Sequence, residues 1–159
     1  MQRSGVSGLL LDLYAGTGTI GILMADRFEH VYSVELVAEA SKDGAKNATK
    51  NGVTNMTFIN EKTEKFLPKF LEENQNSHFS EVSLIIDPPR DGMHPDALPD
   101  ILKFNAQEII YVSCNPATLA RDLDYILANS TYRLTDITPV DMFPHTHHIE
   151  TVVRLEKTI

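Results

Sequence analysis

The only cysteine of the chain, Cys114, stands in "IIYVSCNPATLARDL" (109–123), where an apolar run stops abruptly at Asn115 and Pro116. A free cysteine is most often a small buried hydrophobe. A core position has no use for the polar neighbours Ser113 and Asn115, however, and these residues or the amino end of a following helix can help stabilise a thiolate. Later in the chain, "MFPHTHHIE" (142–150) puts Glu150 at the start of a strand, just after a loop. By its own surroundings Glu150 reads equally well as a surface carboxylate. A thiolate and a carboxylate are what methylation of a pyrimidine ring carbon demands. C5 of such a ring is too weak a nucleophile to attack a sulfonium methyl. A thiolate adding at C6 turns the ring into an enolate, and C5 then attacks. A base must remove the C5 proton before the thiolate can leave.

A second group of residues suits a nucleotide-like ligand. "GTGTIG" (Gly16, Gly18, Gly21) fits the pattern G-x-G-x-x-G between a strand and a helix. Glu35 follows the second glycine by 35 − 18 = 17 positions and ends the next strand, where a carboxylate can accept both hydroxyls of a ribose. NAD and S-adenosylmethionine both fit this pattern. Asp12, just before the glycines, favours the second, because a carboxylate there repels a pyrophosphate but can hold the ammonium of a methionine moiety. The chain is also short for a dehydrogenase. Tyr14 can lie against a cofactor or simply be a half-buried aromatic. Thr19 can touch a cofactor or be no more than a polar residue in the helix's first turn. A third spot, "DPPR" (87–90), holds Asp87 on a backbone kept extended by two prolines, a corner able to present a carboxylate to a planar base. The related motif of amino-group methyltransferases ends in an aromatic residue; here Arg90 takes that place, and a plain structural turn is the competing reading.

The elements that must hold these groups alternate between two periodicities. Strands are predicted at "GLLLDLYA" (8–15), "HVYSVEL" (30–36), "MTFIN" (56–60), "VSLIID" (82–87) and "EIIYVS" (108–113). Helices are predicted over 17–28, with a threonine as cap, 37–51, 64–73, 95–104 and 117–129. Pro68 is expected near the start of the third helix or at a kink in it, and "NQNSHFSE" (74–81) reads as a polar loop. The tail, "YRLTDITPVDMF" to "IETVVRL", gives two strands able to pair antiparallel. This alternation predicts an α/β fold, a Rossmann-like, doubly wound and mostly parallel sheet with an antiparallel C-terminal strand pair. The spots "DLYAGTG", "VEL", "DPPR" and "SCNP" then all fall at the carboxyl ends of strands, where such sheets bind ligands.

The totals set bounds. At 159 residues, with no linker or repeat, the chain makes one domain, 1–159. A lone cysteine forms no internal disulfide and suits a reducing, cytoplasmic setting. No apolar run approaches the roughly 20 residues that span a bilayer. The formal charge of −8 gives no overall attraction to nucleic acid.

Together, "LLDLYAGTGTIGILMA", "VYSVEL", "IIDPPRDGMHP", "IIYVSCNPATLARDL" and "MFPHTHHIE" resemble the RNA 5-methyluridine methyltransferases, from about Leu9 to Leu155. The resemblance implies S-adenosylmethionine as cofactor and a uridine of tRNA or rRNA as substrate. It makes Cys114 the nucleophile at C6, Glu150 the base for the C5 proton, and Asp87 the acidic residue of the cofactor and uracil site. It matches Glu35 to the ribose ligand, Tyr14 and Thr19 to cofactor contacts, and Lys62 to an adenine-side contact. Members of the family carry an N-terminal RNA-binding barrel, a central domain that in some holds an iron–sulfur cluster, and a glutamine-containing cofactor motif. This sequence is expected to be the catalytic domain without them, its basic RNA-binding surface lying in the missing part. His145, His147 and His148 invite a zinc reading, but neighbours at that spacing diverge on an extended chain, and a polar loop orienting Glu150 is preferred; no metal is expected. Arg121 is left between contacting a phosphate and pairing with Asp122 or Asp124.

Overall fold

A computed structural model describes residues 8–74, 81–142, 144–146 and 148–158. Seven strands form one sheet: β1 (Leu9–Leu13), β2 (His30–Glu35), β3 (Met56–Asn60), β4 (Val82–Ile86), β5 (Glu108–Ser113), β6 (Tyr132–Val140) and β7 (Glu150–Lys157). Their order is β3-β2-β1-β4-β5-β7-β6. Pairings from β3 through β5 are parallel, whereas β7 lies antiparallel to both β5 and β6. The predicted fold class holds, including the antiparallel C-terminal pair.

Burial follows from the strand sequences. All five residues of β1 are buried, as an apolar run in a sheet covered on both faces requires. On one face, Leu9, Leu11, Leu13, Leu84, Ile86, Ile109, Tyr111, Val153 and Leu155 pack against helices α3 (Thr63–Glu73), α4 (Ala97–Lys103) and α5 (Pro116–Ala128). On the other, Leu10, Val31 and Ile85 form a smaller cluster with Ala25, Ile20 and Met24, beneath α1 (Thr19–Met24). Helix α2 (Ala38–Lys50) shares that second face, its Gly44 lying against the Phe58 ring and the Thr17 carbonyl. Chain direction reverses its course through the sheet between β1 and β4, the switch point at which a crevice opens.

Three local expectations need correction. The helix predicted over 17–28 is α1 followed by a 3₁₀ turn, Ala25–Arg27. Its cap is Gly18 rather than a threonine, since φ of +69° there is a conformation that favours glycine. Pro68 is the sixth of the eleven residues of α3, deeper than its start, and lies on the exposed side. Most of the predicted loop 74–81 lies outside the described residues.

Candidate active site

Along the carboxyl edge of the sheet, the order of the strands sets the order of the chemistry. Lys62 follows β3, Glu35 ends β2, the glycine turn follows β1, Asp87 follows β4, Cys114 follows β5, and Glu150 begins β7. Because β7 runs antiparallel, its first residue lies at the same edge as the last residues of the parallel strands. The last register pair between β5 and β7 is Ser113 with Thr151, so Cys114 and Glu150 stand one step beyond it on their two strands.

The glycine turn is held open by backbone geometry. Gly16 (φ +56°) and Gly18 (φ +69°) both use left-handed conformations. A Cβ on Gly18 would meet the Phe58 ring at 2.5 Å, whereas one on Gly16 would meet open space. The Glu35 carboxylate accepts the Gly16 N–H at 2.8 Å and the Val37 N–H at 2.7 Å, which fixes it at the mouth of the turn. Beside it, Leu36, one residue past the end of β2 although the predicted strand includes it, and Val37 are 58% and 53% exposed, an apolar surface. Tyr14 takes a positive φ of +60° and packs on the larger core face. Its hydroxyl is buried near the Thr63 side chain and the His94 backbone, but hydrogen-bond geometry is met with neither. Thr19 is exposed and its hydroxyl lies 3.2 Å from that of Thr17. Lys62 precedes α3, its ammonium 3.9 Å from Glu64.

Asp12 departs from its expected place. Its carboxylate is 1% exposed beneath α1, accepting the Gly21 N–H at 3.1 Å and, at 3.4 Å, the Ser33 hydroxyl. In that position it holds the turn to the sheet and is not presented to a ligand's ammonium. Burial pushes its pKa up to about 7, against the two hydrogen bonds that lower it. A Cβ on Gly21 would come within 2.7 Å of this carboxylate, which explains the third glycine.

On the other side of the crevice, side chains do the positioning. Ser113 and Asn115, the neighbours expected to help the thiol, are engaged with backbone. The Ser113 hydroxyl donates to the Asn115 carbonyl and accepts its N–H, both at 3.1 Å. Asn115 caps α5 by accepting the Ala117 N–H at 3.1 Å, and its amide also donates to the Arg90 carbonyl at 3.0 Å. Cys114 is therefore a half-buried thiol held in a bend between strand and cap. The Arg90 guanidinium lies 3.2 Å from both ring nitrogens of His148, joining the "DPPR" corner to the segment that leads into Glu150. The pKa of Asp87 is raised, first by burial of its carboxyl and then by the charge of Glu150, so these two carboxylates feel each other across the end of β5. Arg121 pairs with Asp122 and not with Asp124, through Nε at 2.9 Å and a terminal nitrogen at 2.8 Å. Sequence reading missed the buried Asp122–Tyr111 contact at 2.6 Å, for which an apolar helix face gave no signal. Among the described residues no three His, Cys, Asp or Glu side chains converge as metal ligands; His147 lies outside them.

The sequence model described as tRNA (uracil-5-)-methyltransferase matches residues 2–158. An uncharacterized RNA methyltransferase of Caldanaerobacter subterraneus subsp. tengcongensis is 42% identical over 159 residues, covering 99% of this chain and 34% of that protein. One of Fusobacterium nucleatum is 41% identical over 150 residues, covering 94% of this chain and 31% of that protein. The solved tRNA (uracil-54, C5)-methyltransferase of Pyrococcus abyssi, in complex with S-adenosyl-L-homocysteine, superposes with a TM-score of 0.75 at 34% identity, over 95% of this chain and 35% of that one. The chain thus spans about a third of the length of these relatives. Among the described residues no helix is long and apolar enough to cross a membrane. The matched proteins are named as methyltransferases, and the solved one holds S-adenosyl-L-homocysteine. The chain belongs to the tRNA (uracil-5-)-methyltransferase family.

Proposed function

We propose that this chain is the catalytic domain of an RNA (uracil-C5)-methyltransferase that uses S-adenosylmethionine and works through a covalent adduct between Cys114 and C6 of a uridine. The observation that carries the reading is the convergence of Cys114, Glu150 and Asp87 at one sheet edge, beside the glycine turn, from three different strands. Residues 36 positions apart (150 − 114) meet there only because β7 runs antiparallel beside β5.

The crevice suits the methyl donor. Gly16 leaves room for close approach, Glu35 is fixed to accept ribose hydroxyls, Leu36 and Val37 offer apolar surface to a flat ring, and the Tyr14 hydroxyl is a buried group without a partner. Thr19 and Lys62 flank the same opening, and Asp87 lies between the glycine turn and Cys114 along the sheet edge. When bound, S-adenosylmethionine supplies an electrophilic methyl that the activated C5 takes up. The chain's own residues do the rest. The Cys114 thiolate forms the S–C6 bond and drives the C5=C6 electron pair into an enolate. After methylation Glu150 accepts the C5 proton, the C–H pair restores C5=C6, and the S–C6 bond breaks to return the thiolate.

The target uridine must leave its stack to reach Cys114. With a charge of −8, this domain relies for RNA affinity on the parts of its relatives that it does not span, acting on tRNA or rRNA in the reducing cytoplasm where a lone thiol stays free.

The test uses the intact protein, S-adenosylmethionine and RNA carrying 5-fluorouridine, whose C5 fluorine cannot be removed as a proton. A stable protein–RNA adduct is expected, absent from Cys114→Ala, together with a loss of turnover of about 10⁴-fold or more on uridine RNA. Unaltered turnover by the alanine variant would refute the proposal.

A further inference from the structure

We infer that Arg121 and Asp122 are positioning residues for this reaction: from α5 they clamp the loop between β4 and α4, so that Asp87 and Arg90 keep a fixed place relative to Cys114. The inference rests on the reaction proposed above and assigns residues that the chemistry itself does not use.

The loop, residues 87–96, carries Asp87 and Arg90, while α5 begins two positions after Cys114. Each could shift relative to the other were it not for a dense set of bonds. Asn115 and the Thr118 hydroxyl both donate to the Arg90 carbonyl, at 3.0 and 3.1 Å. One turn further along, an Arg121 terminal nitrogen donates to the Asp91 carbonyl at 3.0 Å and the Met93 carbonyl at 3.3 Å. Asp122 is fully buried, and one of its oxygens accepts the Met93 N–H at 2.9 Å and the Tyr111 hydroxyl at 2.6 Å. Its other oxygen takes two donors from Arg121. Every lone-pair site of this carboxylate is therefore filled, which is the condition under which a buried charge is tolerated.

The loop's own sequence gives an independent sign of the clamp. Gly92 has φ +78°, and a Cβ there would lie 2.6 Å from an Arg121 nitrogen and 2.8 Å from an Asp122 oxygen. Backbone rests directly on the charged pair. Tyr111 extends the connection into the sheet, because it lies on β5 three residues before Cys114 and pairs in register with Ile86, the residue before Asp87. Helix, loop and both strand ends meet at one carboxylate. Since attack of a thiolate on a ring carbon tolerates little misplacement, a displacement of about 1 Å can cost on the order of 10²-fold in rate.

Arg121→Gln and Asp122→Asn in the intact protein test the assignment, with three readouts: the rate of adduct formation with 5-fluorouridine RNA, the rate of Cys114 alkylation by iodoacetamide, and the affinity for S-adenosylhomocysteine. Expected is a fall of about 10- to 100-fold in the adduct rate, with alkylation and cofactor-product affinity near wild type. A merely structural role would move all three together, the adduct rate and cofactor-product affinity falling while alkylation of the half-buried thiol speeds up as packing loosens, and that result overturns the assignment. Should Asp122→Asn fail to fold, the Arg121 variant decides alone, because that side chain is about half exposed (53%). An adduct formed by Arg121→Gln at the wild-type rate also overturns it. Absence of adduct from the wild-type protein refutes the reaction, and with it the clamp.

Discussion

At the ends of β1 and β2 the crevice is lined chiefly by backbone: two left-handed glycines, free space over Gly16, and one carboxylate tied to two N–H groups. At the ends of β4, β5 and β7 it is lined by side chains from segments far apart in sequence, joined through Arg90 to His148, Asn115 to Arg90, and Asp122 to Tyr111 and Met93. The first region is a surface that a nucleoside can approach, preorganised by strand, turn and helix within a short stretch of chain. In the proposed reaction the second holds a nucleophile and a base in register with each other, and the long-range contacts are what fix it. The contrast teaches that binding and chemistry in this domain have separate structural supports, and substitutions should separate them.

The sharpest separation is expected from Glu150→Gln. Loss of the base slows release about 10²- to 10⁴-fold while leaving thiol addition intact, so RNA should remain covalently attached to the protein on denaturing gels. Rapid turnover with no trapped RNA would remove Glu150 from the role. Gly18→Ala attacks the other region. Its methyl group would meet the Phe58 ring in a backbone conformation that costs a non-glycine residue about 1–2 kcal/mol. Binding of S-adenosylhomocysteine, followed by calorimetry, should weaken about 10-fold or more for steric cost of this order, whereas Cys114 alkylation should not change.

Asp12→Asn is expected to leave binding and chemistry unchanged and to act on stability alone. The folded-state pKa of Asp12, about 7, lies above its ordinary value of 3.8, so the folded chain holds a proton that the unfolded chain has released. Stability from this group is complete below about pH 4 and declines as pH rises to about 7. The asparagine variant should therefore show a flatter dependence of Tm on pH, gaining up to about 4 kcal/mol over wild type at pH 8 and nothing at pH 4. Parallel curves for the two proteins would show that burial does not shift this carboxyl.

Much of the framework was legible before folding, and the reason is local. β3 and β5 match their predicted bounds, and α2 lies within one residue of its predicted limits, because alternation, helical period and flanking turn residues act over a few positions. The first helix was overestimated where left-handed Gly18 had to supply the cap. Asp12 was misplaced because a carboxylate before a glycine turn looks the same in sequence whether it faces a ligand or the underside of a helix; the closeness of Gly21 to the sheet decides it.

The sequence by itself determined the strands, the glycine turn, the thiol after β5 and the acidic residue at the end of β2, since each depends on neighbours in the chain. The tertiary structure alone decided that β7 inserts antiparallel between β5 and β6. That arrangement turns Glu150 from a carboxylate after a loop into the neighbour of Cys114. Strand order and direction are fixed by which faces bury together, an energy summed over the whole sheet that no short stretch of sequence carries.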